Sequence, residues 1–198
     1  MLSKPQKLEN KLGSAQDKTP SRFRLAVQLT KGLFLTDKKR SILGRAWQLF
    51  SRFTWELPQT LAGWLFSLGR VLTGRVDRVD TLGGITFVTK LGFNYGMGVS
   101  LGTFVVLWAA SWMQGEGEGY ILGNQICMHE FGHTFDSQRF GWLYLPVVGL
   151  SSLISASGKG DHSIFWTETR ANRHAKRYFG KHYSLAWNEK GYPTDNMA

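Results

Sequence analysis

His129 and His133 stand four residues apart, and Glu130 directly follows the first of them. On a helix, a spacing of four puts two side chains one above the other on the same face, which is how two imidazoles reach a single tetrahedral zinc ion. Glu130 then projects from the adjacent flank, where its carboxylate can take a proton from a metal-activated water rather than bind the metal. With 5 His in 198 residues, composition alone would produce this HExxH pattern in about 0.4% of such chains. The surrounding residues fit a helix from about 121 to 138, with Ile121, Leu122, Ile126 and Met128 supplying a buried side and Gly123 as its weak point.

A catalytic zinc takes three protein ligands and leaves a fourth position for water, so one ligand must come from elsewhere. The metzincin pattern would put Gly at 136 and His at 139; this chain has Asp136 and Arg139. Downstream, DHSIFWTETRANRHAKRYFG offers His162, Glu168 and His174, with Ile164 to Phe179 spaced for a helix. Glu168, on a second helix after a crossover, has the gluzincin arrangement and is the expected third ligand. His162 is the alternative, and if it binds no metal it is placed to hydrogen-bond the oxyanion formed in hydrolysis. His174 lies six residues past Glu168, off its face, and reads as a surface histidine.

Two further residues have competing readings. Asp136 either accepts a hydrogen bond from a ligand imidazole or is a solvated residue at a helix end. Cys127 points away from the metal face and reads as a buried structural thiol. As the single cysteine, it excludes an internal disulfide and any thiolate-built zinc or iron–sulfur site.

The rest of the chain must position these groups. At 198 residues, with 42% hydrophobic and 19% charged residues, the chain has the length for one domain with a real core and is too apolar to be disordered. Ile42, Ala46, Leu49, Phe50 and Phe53 fall on one face of a helix at about 39–54, expected to pack on the domain; lying on a membrane surface is the rarer reading. Pro58 opens a second apolar helix that stops near Gly69. Residues 75–113 read as strands, with a turn at Gly83–Gly84. Leu91 to Gly115 carries no charge, yet its glycines and Asn94 favour buried strands over a membrane helix. WLYLPVVGLSSLISA, broken at Pro146 and Gly149, is expected in the core behind the site.

Charge is concentrated at one end. Residues 1–52 hold 12 Lys+Arg against 3 Asp+Glu, and residues 53–198 hold 12 against 11. The opening stretch is polar, contains Pro5 and Pro20, and lacks the apolar run of a signal peptide. It reads as a flexible basic arm capable of weak contact with an anionic membrane. No nucleic-acid motif accompanies it, so no specific nucleic-acid binding is expected.

HEFGHTFDSQRFGWLYLPVVGLSSLISA, followed by DHSIFWTETRANRHAKRYF, resembles a zincin-like metallopeptidase family of bacteria, in which HExGHxxxSxxxG..YL..VGLxSL and a downstream TExxAN segment recur. FTWELPQTLAG, VDRVDTLGG and VSLGTFVV extend the resemblance from about Phe53 to Phe179. It implies zinc on His129 and His133, Glu130 as catalytic base and Glu168 in the TETRAN segment as third ligand. Related domains end RHS-repeat proteins, which are interpreted as polymorphic toxins, so the resemblance also implies a toxin- or effector-type domain; no RHS core or delivery domain is expected with it.

The expectation is an α+β protein: N-terminal helices, a small, mostly antiparallel sheet, the HExxH helix and a second ligand-bearing helix. Its divisions are a basic arm at 1–36, a metallopeptidase domain at 37–180 and a tail at 181–198. Zincins lay a sheet over the motif helix with substrate along its edge strand, and a glycine-bearing strand near Val99–Val106 is the candidate here. The expected activity is zinc-dependent hydrolysis of peptide bonds, with Glu130 as base and His162 as a catalytic hydrogen-bond donor. A protein that is cytoplasmic or exported without a classical signal peptide, with no membrane-spanning helix, follows. Two alternatives stand beside it: a non-catalytic effector or interaction module, its zinc structural and closed by a fourth protein ligand and its basic N-terminal arm engaging a partner, and a membrane-embedded protease spanning at Leu91–Met113. The ligand set would also accept other divalent ions.

Overall fold

The computed structural model describes residues 20–158 and 160–195. Residues 1–19 of the expected arm lie outside them, but the remainder of that stretch is not an arm. Arg22–Gly32 forms helix α1, capped by the Ser21 hydroxyl, which accepts the Arg24 N–H at 3.3 Å. Leu25 and Leu29, one turn apart, are buried with Val71, Val76, Val88, Phe104 and Val106. A pair of leucines on one stripe is enough to dock a helix whose exposed residues include Arg22, Arg24 and Lys31 as well as Phe23 and Val27.

Helix α2 spans Ile42–Phe53 and α3 spans Leu57–Leu72, with Pro58 in its first turn. The expected packing of α2 is reversed. Its buried residues are Gln48, Ser51 and Arg52, whereas Ile42 and Leu43 are each 83% exposed. The cause is backbone satisfaction. The Arg52 guanidinium donates to the carbonyls of Leu33 (2.7 Å), Leu35 (2.8 Å), Gly84 (3.0 Å) and Gly32 (3.3 Å), and Gln48 donates to the Gly83 carbonyl while accepting the Asp37 N–H. The polar face of α2 thus supplies partners to two turns that would otherwise be buried without them.

Strands β1 (Arg78–Leu82), β2 (Ile85–Phe93), β3 (Met97–Leu101) and β4 (Phe104–Ala110) form one sheet in the order β1-β2-β4-β3. The β1–β2 and β3–β4 pairs are antiparallel and β2–β4 is parallel, so the sheet is mixed. Gly83 and Gly84, at φ 58° and 78°, make the tight turn between β1 and β2. The strand expected near Val99–Val106 is instead a hairpin, turning at Gly102, whose φ is 61°. The charge-free run is explained by β4, which is buried on both faces. Val105 and Leu107 pack with Phe131, Tyr178 and Phe179 on one side, and Phe104 and Val106 pack with α1 on the other. Among the described residues, no single helix is long and apolar enough to cross a membrane.

The helix expected at 121–138 comes in two pieces, α4 (Gly117–Gly123) and α5 (Gln125–Phe140), separated at Asn124, whose amide donates to the Tyr120 carbonyl at 2.7 Å. Residues 141–149 then form short 3-10 and π turns leading to α6 (Leu150–Ser157). This segment was expected in the core; α6 buries none of its residues, and Leu153 is 66% exposed. Tyr144 and Val148 are buried, and Leu145, Ser152 and Leu153 line a cavity rather than the core. Helix α7 runs from Trp166 to Tyr183. It crosses α5 at Gly132, where an added Cβ would overlap the Ala171 carbonyl, so glycine permits the close approach of the two helices that carry His129, His133 and Glu168. The expected tail is also anchored: Leu185 and Trp187 pack against the main core. The whole is α+β, with seven α-helices among the described residues.

Candidate metal centre

Helix α5 stacks His129 and His133 with their rings 4.9 Å apart and edge to face. The first turn of α7 brings Glu168 opposite them. Its Oε2 lies 3.2 Å from His129 Nε2 and 3.3 Å from His133 Nε2. All three residues are buried, and their ligand atoms lie within 4.8 Å of one another, so the group could hold a metal ion. Two imidazoles and one carboxylate suit zinc and, less selectively, other divalent transition metals.

Each ligand is oriented from behind. The other oxygen of Glu168, Oε1, accepts from the hydroxyls of Ser152 (2.7 Å) and Thr167 (2.8 Å), which leaves Oε2 for the imidazoles. His129 Nδ1 lies 2.6 Å from Asn172 Oδ1, and the Asn172 amide nitrogen donates to the Pro193 carbonyl at 2.8 Å. A carbonyl can only accept, so it sets the Asn172 amide with Oδ1 toward His129. Nδ1 therefore carries the proton, and Nε2 presents its lone pair to the centre. The Tyr192 ring covers His129 at 5.4 Å.

Asn172→Ala is expected to weaken metal binding by about 10–100-fold by freeing this tautomer and ring orientation. Competition against a chromogenic chelator reads the change.

The electrostatics are coupled. Burial alone would raise the Glu168 carboxyl, but hydrogen bonds and charge from His129 and His133 outweigh it and hold the group well below the usual carboxylate range. Burial likewise opposes charging of His133, and the Glu168 carboxylate outweighs it, so His133 is raised.

Glu130 is on the same helix but is drawn to the sheet. The Ser100 hydroxyl of β3 lies 2.8 Å from Glu130 Oε2 and 2.7 Å from the Glu130 carbonyl. Gly98, two residues earlier on β3, leaves room for this carboxylate, because a Cβ there would overlap the Glu130 side chain. Glu130 and the three clustered residues line one cavity of about 930 Å³, walled by β3, Tyr144, Val148, α6, His162 and Tyr192.

His162 is not part of the cluster. Its Nε2 is 3.7 Å from Glu168 Oε1, and its Nδ1 meets the Ser155 hydroxyl at 3.1 Å. Asp136 orients no ligand histidine and is not solvated. It is fully buried and pairs with Arg170, with His174 Nε2 at 3.4 Å. It thus ties α5 to α7, and His174 belongs to that tie. Burial, chiefly, pushes the Cys127 thiol far above its ordinary range, in keeping with a structural role.

Ser100, Ser152, Tyr144 and Tyr192 were not singled out by sequence reasoning. Asn172 could have been, since it follows Glu168 by one helical turn on the same face.

Comparison with family models, curated proteins and solved structures finds no match for this chain.

Proposed function

We propose that the chain is a zinc-dependent metallopeptidase of the zincin type, with His129, His133 and Glu168 holding the metal. The observation that carries this reading is the division of labour on α5. Two histidines converge with Glu168, while Glu130, between them in sequence, is held by Ser100 yet opens on the same cavity. A divalent ion at this place supplies Lewis acidity toward a carbonyl oxygen and an attacking water.

Glu130 is the proton carrier. Its Oε2 is engaged by Ser100, so Oε1 takes the proton from water and returns it to the leaving amine. His162, on the cavity wall, donates a hydrogen bond to the developing oxyanion. Tyr144 donates to the Ser100 carbonyl at 3.2 Å and so braces β3. Burial, first of all, raises this phenol well above its ordinary range and keeps it a donor. Among the described residues strand β3 pairs with β4 alone, and its other edge, where it is not engaged by Tyr144, is where an extended peptide would lie along the cavity.

A structural zinc would need a fourth protein ligand, and among the described residues the cluster has three. The test is incubation of the zinc-loaded chain with a proteome-derived peptide mixture, with new termini read by mass spectrometry. Cleavage that stops on chelation is expected; intact peptides with a fully loaded, folded chain would overturn the peptidase reading.

A further inference from the structure

Helix α2 is built inside out, and α3 is so in part. They bury Gln48, Ser51, Arg52, Gln59, Thr60 and Ser67; Val71, Trp64 and Leu68 of α3 face the core, but many large apolar side chains of both helices turn outward. On α2 these are Ile42, Leu43, Trp47, Phe50 and Phe53; on α3, Leu57, Leu61 and Leu65 continue at helical spacing. On α1 and α2 the exposed side chains are joined. Trp47 and Phe50 rings meet at 5.7 Å, Phe53 meets Phe34 of the α1–α2 loop at 5.6 Å, and Phe34 shares a surface groove with Phe23 and Val27 of α1. Single exposed apolar residues are ordinary on a folded protein, whereas a joined surface of this kind marks a place that something covers.

Charge indicates what covers it. Between residues 20 and 75 the only carboxylates are Asp37 and Glu56, and both are buried. Arg22, Arg24, Lys31, Lys38, Arg45 and Arg75 are exposed over the same stretch. An apolar face bordered by cations, with no exposed carboxylate, complements an anionic lipid surface, where apolar side chains enter the headgroup boundary and Lys and Arg meet phosphate. Exposed Trp47 and Trp55 suit that boundary. A second copy fits less well, because a two-fold contact would bring the cationic border against itself.

We propose that the outward face of α1, α2 and α3 docks on an anionic bilayer, lying on it rather than crossing it. The proposal stands apart from the hydrolytic reading, since none of its residues touches the metal centre.

The test is co-sedimentation of the full chain with vesicles of phosphatidylcholine alone and of three parts phosphatidylcholine to one part phosphatidylglycerol. Binding is expected to the mixed vesicles, and the double variant Trp47→Ser, Phe50→Ser is expected to bind about tenfold less or weaker still. Both side chains are exposed, so the variant should keep the parent's unfolding midpoint. Wild-type binding that equals the variant's would assign the attraction to the basic N-terminal residues alone and overturn the proposal. Absence of binding to mixed vesicles would overturn it as well. Self-association that the double variant abolishes, without vesicle binding, would identify a second copy as the occupant instead.

Discussion

Glu130→Gln is expected to retain one zinc per chain while slowing peptide cleavage by about 10²–10⁴-fold, the range that a positioned general base supplies. The amide is nearly isosteric and can still accept from Ser100, so the packing of α5 on β3 is kept. What it loses is the ability to take a proton from water at the free oxygen. Because Glu130 stands outside the cluster of ligand atoms, metal content should not change. Parallel metal analysis and cleavage-rate measurement check both halves. A variant that loses zinc together with activity would place Glu130 among the ligands, and unchanged activity would remove it from the proton path.

Arg52→Met is expected to cost roughly 3–5 kcal/mol of stability, the range found when one member of a buried charged network is removed. Burial draws the guanidinium down to about 10, against the opposing effect of Glu56, so the side chain remains charged at neutral pH. Its fork joins three carbonyls at the end of α1 and in the following loop to the Gly84 carbonyl in the β1–β2 turn. Methionine fills similar volume and leaves those acceptors without a donor. The midpoint of urea unfolding, at constant slope, reads the loss. A change within the ordinary scatter of surface substitutions would mean that water replaces the guanidinium at little cost, and that the polar interior of α2 is not what fixes its orientation.

The cluster of possible metal ligands was more legible than the packing, for a physical reason. HExxH works through i,i+4 geometry within one helix, so its meaning survives without tertiary knowledge. Glu168 was legible because helical context and spacing left few carboxylates to choose from. Ser100 was not, since only the hairpin at Gly102 and the resulting register bring it to Glu130. Nor was Tyr192, from a segment that read as a tail but returns to cover His129. On α2 the periodicity located two faces correctly and left open which one turns inward. The usual rule chose the apolar face; the unpaired carbonyls of neighbouring turns chose the polar one. The segment at 142–157 misled in the same way, because apolar composition alone does not say whether a helix lies inside the domain or forms the wall of a cleft.

The most direct measurement is metal content by elemental analysis of the purified wild type beside His129→Ala and Glu168→Gln, each first shown to be folded by circular dichroism. The account predicts one zinc per chain in the wild type and its loss or marked weakening in both variants. Zinc retained at full stoichiometry and affinity in Glu168→Gln, or a folded wild type that binds none when zinc is supplied, would contradict it.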